Sequence, residues 1–297
     1  MIPGFFVLLK LEVIESMKHV CVWMMLVWMA IPLWASEQDS VRVEKWLNEA
    51  SSLPMDSCRT LHFAKQMLGV PYVAGTLDDN EEEKLVVYID KVDCTTFVET
   101  VLALTIADKR KERSFEAFKK ALVQVRYRDG FLNGYDSRLH YFSDWIRNNE
   151  KMGFVKECTS ETSCAEKQFL WLNFMSTHSD SYLPMKKDVS LVAKIASLEK
   201  IWQGVQLSYI PKDKLNLPSE ALKIENGDIL AITTSIEGLD VVHVGFAFWK
   251  GEKLHLLHAS SVAKEVIEDS QALYDYSRNK KAHTGLRVIK VVSGIEF

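Results

Sequence analysis

The order of elements predicts an α+β fold, with helices first and an antiparallel meander last. Three observations carry this reading. Apolar residues recur at helical spacing from Val41 to Leu68 and again from Cys94 to Val125. The periodicity then breaks between Arg126 and Pro218, where aromatics, Asn and Gly are frequent. From Gly227 onward the chain turns β-rich. Composition permits such a fold: 297 residues with 47% hydrophobic and 26% charged exclude a disordered or collagen-like chain. At this length roughly 70–75% of the extended surface can be buried. Lys and Arg total 36 against 40 Asp and Glu, a net charge of −4. That balance argues against a general nucleic-acid binder, which needs a basic excess to neutralise phosphates.

Local chemistry justifies each element in turn. Val43, Trp46 and Leu47, then Leu61, Phe63, Ala64, Met67 and Leu68, share helical spacing. Gly69 stops the pattern ahead of an extended stretch, where Pro71 biases Val70 away from helix. An acidic loop, Asp78 to Glu83, leads to the apolar run Leu85 to Ile89. Asp93 reads as the N-cap of a helix from Cys94 to about Ala107, its apolar side formed by Phe97, Val98, Val101, Leu102 and Leu104. A further helix is expected over Phe115 to Val125. Within 126–218, helix-like pieces (Leu139 to Asn148, Val189 to Trp202) alternate with loops, which predicts a helical and loop insertion or lid without its own core. Strands are expected over Ile229–Thr233, Val241–Trp249, Lys253–His258 and Leu286–Val292.

Residues 1–36 read as a signal peptide. Lys18 and His19 precede the uncharged apolar run Val20 to Ala35, and the polar Ser36-Glu37-Gln38 follows it. Met17 is the expected start, because the upstream stretch adds acidic residues that serve no export purpose. Spanning a bilayer takes about 20 apolar residues, and Pro32 interrupts this run. The mature chain, 37–297, is therefore expected as one exported domain without stable membrane insertion. It keeps Cys58, Cys94, Cys158 and Cys164. Cys158 and Cys164 lie in a polar stretch and could close a small disulfide loop. Cys58 reads as a buried small hydrophobe. No C-x-x-C pair exists, so a structural zinc site is not expected.

Val92-Asp93-Cys94-Thr95-Thr96-Phe97-Val98-Glu99 places a cysteine in the first turn of a helix. Unpaired N–H groups there favour a thiolate and lower its pKa, and they can hold an oxyanion beside the sulfur. Near the C-terminus, strands containing His243 and His258 flank Lys250-Gly251. With a two-residue turn at that dipeptide, Trp249 faces Glu252 and His243 faces His258 directly, both imidazoles on one sheet face. A slip of one residue would part them. His255 points to the other side. Together these residues suggest a Cys–His nucleophile pair with a third group orienting the base. Arg138 and His140, near Tyr141 and Trp145, could bind a peptide carboxylate or stack on a sugar. Ser260 could line the cleft, and Asp228 belongs to the turn entering its strand.

The motifs Asp93-Cys94-Thr95-Thr96-Phe97, Gly227-Asp228-Ile229-Leu230, His243-Val244-Gly245-Phe246 and Leu256-Leu257-His258-Ala259-Ser260, in that order, resemble the NlpC-type cysteine peptidases, papain-like bacterial cell-wall hydrolases. The resemblance implies Cys94 as nucleophile, His243 as base, His258 as the orienting residue, and Tyr72 beside the nucleophile. A closer resemblance is to the N-acetylmuramoyl-L-alanine amidase-like branch, through Pro71 to Leu77, Asp93 to Glu99 and Arg126 to Trp145. It implies a periplasmic amidase that acts on peptidoglycan or muropeptides through a thioester and needs no cofactor or metal. A γ-D-glutamyl-diamino acid endopeptidase keeps the same chemistry on another bond. A metal site built from Cys94, His243 and His258, and a non-catalytic wall-binding module, are the alternatives from other classes.

Overall fold

A computed structural model describes residues 38–292 apart from Met55, Asp79 and Glu81. The signal-peptide reading therefore lies outside the described residues. The chain divides into two units, 1–42 and 43–297. Of the first, the described residues 38–42 are helical, within a helix (α1) covering 38–51. Among the described residues no helix is long and apolar enough to cross a membrane.

The second unit is α+β, with an antiparallel sheet, as the element order predicts. Helices α2 (Arg59–Gln66), α3 (Cys94–Lys109), α4 (Phe115–Arg126) and α5 (Phe142–Lys151) come first. The middle stretch adds strands β1 (Val155–Glu157) and β2 (Glu166–Leu170), short helices α6 (Phe174–Thr177) and α7 (Leu183–Lys187), and α8 (Ser190–Lys200). Strand β3 (Val205–Pro211) and helix α9 (Ser219–Leu222) follow. The last part carries β4 (Ile229–Thr234), β5 (Val241–Lys250), β6 (Lys253–Ser260), β7 (Glu265–Ala272), α10 (Leu273–Arg278) and β8 (His283–Val291). The strands run β2-β3-β8-β4-β5-β6-β7, with β1 paired to β8. Every one of these pairings is antiparallel.

The period-2 alternation of the strands divides their apolar side chains between two cores. Ile229, Ala231, Val244, Phe246, Leu257 and Ile289 pack with α1 to α4. Leu230, Ile232, Ala247, Leu256 and Val288 pack on the opposite face with Leu222 and Leu273. Helix α3 is buried on nearly every side, from Thr96 through Asp108. With no face of the helix in water, its buried charged members are ion-paired: Glu99 with Arg126, and Asp108 with Arg59 and Arg113.

The middle stretch differs from its sequence reading. It supplies three strands, and it holds an apolar cluster of its own that includes Tyr135, Leu172, Met185, Ile195 and Trp202. Strands β1 and β2 escape periodicity because β1 has three residues and β2 alternates weakly among polar side chains. The cysteine readings also change. Cys158 and Cys164 are free thiols, directed at the Lys156 carbonyl and the Thr162 hydroxyl. Cys58 is exposed rather than buried, and its thiol donates to the Asn226 carbonyl.

Candidate active site

Cys94 is the first residue of α3, and the local sequence fixes that start. The Asp93 carboxylate accepts from the Thr96 N–H at 2.8 Å, while Thr96 Oγ1 accepts from the Asp93 N–H at 2.9 Å. This reciprocal capping box satisfies two of the helix's orphan donors. The Thr95 hydroxyl and the backbone N–H groups of Thr95 and Val244, the latter on β5 next to His243, favour the charged form of the Cys94 thiol. Strands β5 and β6 pair from Lys250–Lys253 up to Phe246–Leu257 and no further. The Val244 N–H thus meets the thiol just past the end of that ladder.

The hairpin register corrects the sequence reading by two residues. Lys250 faces Lys253 and Trp249 faces Leu254, so the turn residues are Gly251 and Glu252. Gly251 has φ +62°. A tight hairpin turn of this kind wants glycine at its first central position, not its second. His255 consequently faces Phe248, on the sheet face away from the other two histidines. A shift of two preserves sheet faces, so the two histidines still meet, diagonally rather than directly opposite. Gly245 makes this possible: a Cβ there would stand 2.8 Å from His258 Cβ. The missing side chain leaves room for the His258 ring to reach His243.

Their rings are 4.7 Å apart, edge to face, and His243 Nε2 shares a hydrogen bond with His258 Nδ1. Beyond them, Asp269 Oδ2 on β7 lies 3.3 Å from His258 Nε2, an electrostatic contact rather than a well-aligned hydrogen bond. Asp269 Oδ1 is held by the Gln271 N–H at 2.8 Å. This chain sets the tautomers. A carboxylate only accepts, so His258 carries its proton on Nε2 and accepts at Nδ1 from His243 Nε2–H. His243 Nδ1 is then left free of a proton, as a base requires.

Burial drives these groups neutral. Desolvation first, then the charges of His258 and Lys280, hold the His243 pKa well below 6.5. Burial lowers His258 to about 4 against the raising pull of Asp269. The Cys94 thiol departs from the sequence expectation. Burial, then the adjacent Asp93 carboxylate, push it up to about 11, outweighing the two N–H groups. A helix start favours a thiolate only when the sulfur is otherwise solvated, and here the capping carboxylate sits beside it. Among the described residues no hydrogen bond joins Cys94 to His243. With these shifts, both groups are uncharged at neutral pH.

Two tyrosines lie within electrostatic reach of the sulfur. Burial and then the Cys94 charge raise the pKa of Tyr72, whose N–H bonds to the Lys264 carbonyl. Tyr276 on α10 is pushed up to about 12 by burial, Asp269 and Cys94; its ring lies 5.7 Å from His258 and 6.3 Å from His243. Ser260 ends β6, and its Oγ accepts from the Ala263 N–H in the turn to β7. Arg138 and His140 lie in another cluster. Arg138 is buried, paired with Asp78 and 3.7 Å from Glu83. His140 contacts the Tyr135 carbonyl through Nε2 at 2.8 Å, and burial holds it neutral. Glu99 pairs with Arg126 at 2.7 Å, both buried. Asp228 Oδ2 accepts from the Glu225 N–H, closing the turn before β4. No group of three His, Cys, Asp or Glu side chains among the described residues has the geometry of a metal site.

Sequence reasoning missed Asp269. Strand β7 (E-V-I-E-D-S-Q-A) is an edge strand, and its polar composition gives no apolar run to reveal it. Alternation within it, with Val266 buried among exposed neighbours, was the available signal.

Known proteins agree with this architecture. A crystal structure of an N-acetylmuramoyl-L-alanine amidase from Bacteroides uniformis is 40% identical, covers 78% of this chain and 97% of its own, and superposes with a TM-score of 0.73. A Bacteroides fragilis protein described as a candidate xylanase is 42% identical over 77% of this chain and 99% of its own, with a TM-score of 0.73. A Legionella pneumophila protein at 24% identity covers 88% of this chain and 96% of its own, with a TM-score of 0.67, and shows the fold alone. No curated protein matches the sequence. The family described as N-acetylmuramoyl-L-alanine amidase-like (AmiA-like) matches residues 62–286. With most of the chain inside that match, the protein belongs to the N-acetylmuramoyl-L-alanine amidase-like family.

Proposed function

We propose that this chain is an exported cysteine amidase of the NlpC-type, papain-like kind, acting in the periplasm. It hydrolyses the amide between the lactyl group of N-acetylmuramic acid and L-alanine in peptidoglycan or its soluble fragments. The observation that carries the reading is the convergence of a helix-start thiol with a base that is itself oriented: Cys94 beside Val244, His243 against His258, and His258 against Asp269. Support for the bond comes from the family and from the amidase named among the similar structures.

In the reaction, His243 Nδ1 takes the Cys94 proton as sulfur attacks the amide carbonyl. The N–H groups of Thr95 and Val244, which act on the sulfur, are the donors in this reading for an oxyanion forming beside it. Collapse breaks the C–N bond, and His243 returns the proton to the leaving amine of L-alanine. Water, deprotonated by the same nitrogen, then hydrolyses the thioester and restores the thiol. His258 and Asp269 hold the tautomer and stabilise the transient imidazolium. Because burial pushes the resting thiol up to about 11, the thiolate forms only as His243 takes the proton during attack.

Digestion of a defined muropeptide, read by mass spectrometry, tests this. The expected products are the free sugar and the intact stem peptide. Cys94→Ala and His243→Ala should each cut turnover by at least about 10³-fold while the fold persists. Cleavage at the γ-D-glutamyl bond would make the chain an endopeptidase instead. Unchanged muropeptide, or retained turnover in either variant, would remove the reading.

A further inference from the structure

Lys280 follows α10 and holds its ammonium 3.2 Å from the centre of the Tyr276 ring. Tyr276 in turn lies 6.3 Å from His243, so the ammonium is within roughly 10 Å of the base, about one screening length in 0.1 M salt. Lys280 is half-buried, and among the described residues no carboxylate stands within ion-pairing distance of it. Asp269 is the acid whose charge it feels, but that carboxylate is turned to His258. A second cation joins the patch: Lys212 Nζ donates to the Lys280 carbonyl at 3.1 Å. A half-buried ammonium laid on an aromatic face, unpaired and beside another lysine, is a ready receptor for an anion.

We propose that Lys280 binds a carboxylate of the substrate, so that the site selects peptides carrying a negative charge within about two residues of the scissile amide. This rests on the amidase reading for the bond cut, but not for the anion site itself. The chemistry gives the arrangement a purpose. The positive charge of Lys280 disfavours a proton on His243 and on His258, and an imidazolium at His243 is what nucleophilic attack must create. A bound carboxylate cancels that charge. Anionic substrates thereby relieve a penalty that neutral ones leave in place, and binding energy is converted into discrimination at the transition state.

Alkylation of Cys94 in the purified full chain tests the anion site independently of any muropeptide. Iodoacetate and iodoacetamide deliver the same kind of carbon to sulfur, one with a carboxylate and one without. The parent should favour iodoacetate relative to its ratio with a free thiol. Lys280→Gln should lower that preference by about threefold or more, and Lys280→Arg should retain it. Lys280→Met keeps the apolar stem over Tyr276 and replaces the Gln variant should that one fail to fold. Identical ratios in parent and charge-removed variants would overturn the proposal, whether or not the chain cleaves peptidoglycan. As the second arm, N-acetylmuramoyl-L-alanyl-D-glutamate with both glutamate carboxyls free or both amidated should be distinguished by the parent and not by Lys280→Gln. Equal discrimination by both would likewise overturn it.

Discussion

Two buried polar clusters border α3, and they are built on opposite rules. One surrounds Glu99: its carboxylate meets Arg126 at 2.7 Å, Arg126 also donates to the Val86 carbonyl at 2.6 Å, and Tyr127 donates to Glu83 at 2.8 Å while Arg138 pairs with Asp78. Every strong charge there has an opposite partner. The other cluster surrounds Cys94, where burial pushes the thiol up and both imidazoles down. Its members are kept neutral, with one nitrogen of His243 uncommitted. Paired charge fixes a fold, whereas desolvated and under-partnered groups store the capacity to react.

The sharpest way to break this contrast is to unpair the first cluster. Arg126→Met leaves the Glu99 carboxylate buried without its cation, which should cost about 3–5 kcal/mol of stability. Urea unfolding measures it. The double variant with Glu99→Leu should recover much of the loss, because both charges then leave together. Turnover per folded molecule should stay within a few-fold, since neither residue touches the reacting groups. A loss below about 1 kcal/mol would show that the pair is not the anchor its geometry suggests.

Acid distinguishes the clusters next. The unfolded chain protonates its histidines near pH 6.5, while folded His258 and His283 accept protons only at about pH 4. Between those values the unfolded state binds more protons, so stability falls as pH drops through that window and is level above it. His258 has no exposed side-chain surface, so its share is about 3 kcal/mol across the window. Denaturation at pH 7 and pH 4.5 should differ accordingly. Equal stability at both would mean that the imidazoles are not desolvated.

What the sequence made legible follows the same division. The start of α3 was readable because Asp93, Cys94 and Thr96 settle it among themselves. The two histidines were readable as neighbours because a strand's faces survive an even slip, although the turn was placed two residues off. Arg138 and His140 looked like ligands for a substrate, since a sequence shows a cation without its partner. Asp78 lies sixty positions earlier in the chain, and only the fold brings it to Arg138. Burial, reinforced by the adjacent Asp93 carboxylate, reversed the expected thiol shift, because desolvation comes from packing that no local motif names.

Asp269 offers the smallest effect and the most specific one. Asp269→Asn keeps the Oδ1 position that accepts from the Gln271 N–H, and leaves the backbone carbonyl that bonds His255 Nδ1 at 2.9 Å. It replaces Oδ2, the atom 3.3 Å from His258, with a neutral group that no longer enforces a proton on His258 Nε2. Either tautomer of the pair then becomes accessible, and in the wrong one His243 Nδ1 carries the proton it should receive. The carboxylate acts through an intervening ring, so kcat should fall about tenfold, near 1.4 kcal/mol, with KM unchanged. Alkylation of Cys94 by iodoacetamide should slow in parallel, a readout that a merely structural role in β7 would not move. Parental kcat together with parental alkylation would reduce Asp269 to a strand residue, and would leave His258 as the last member of the chain that orients the base.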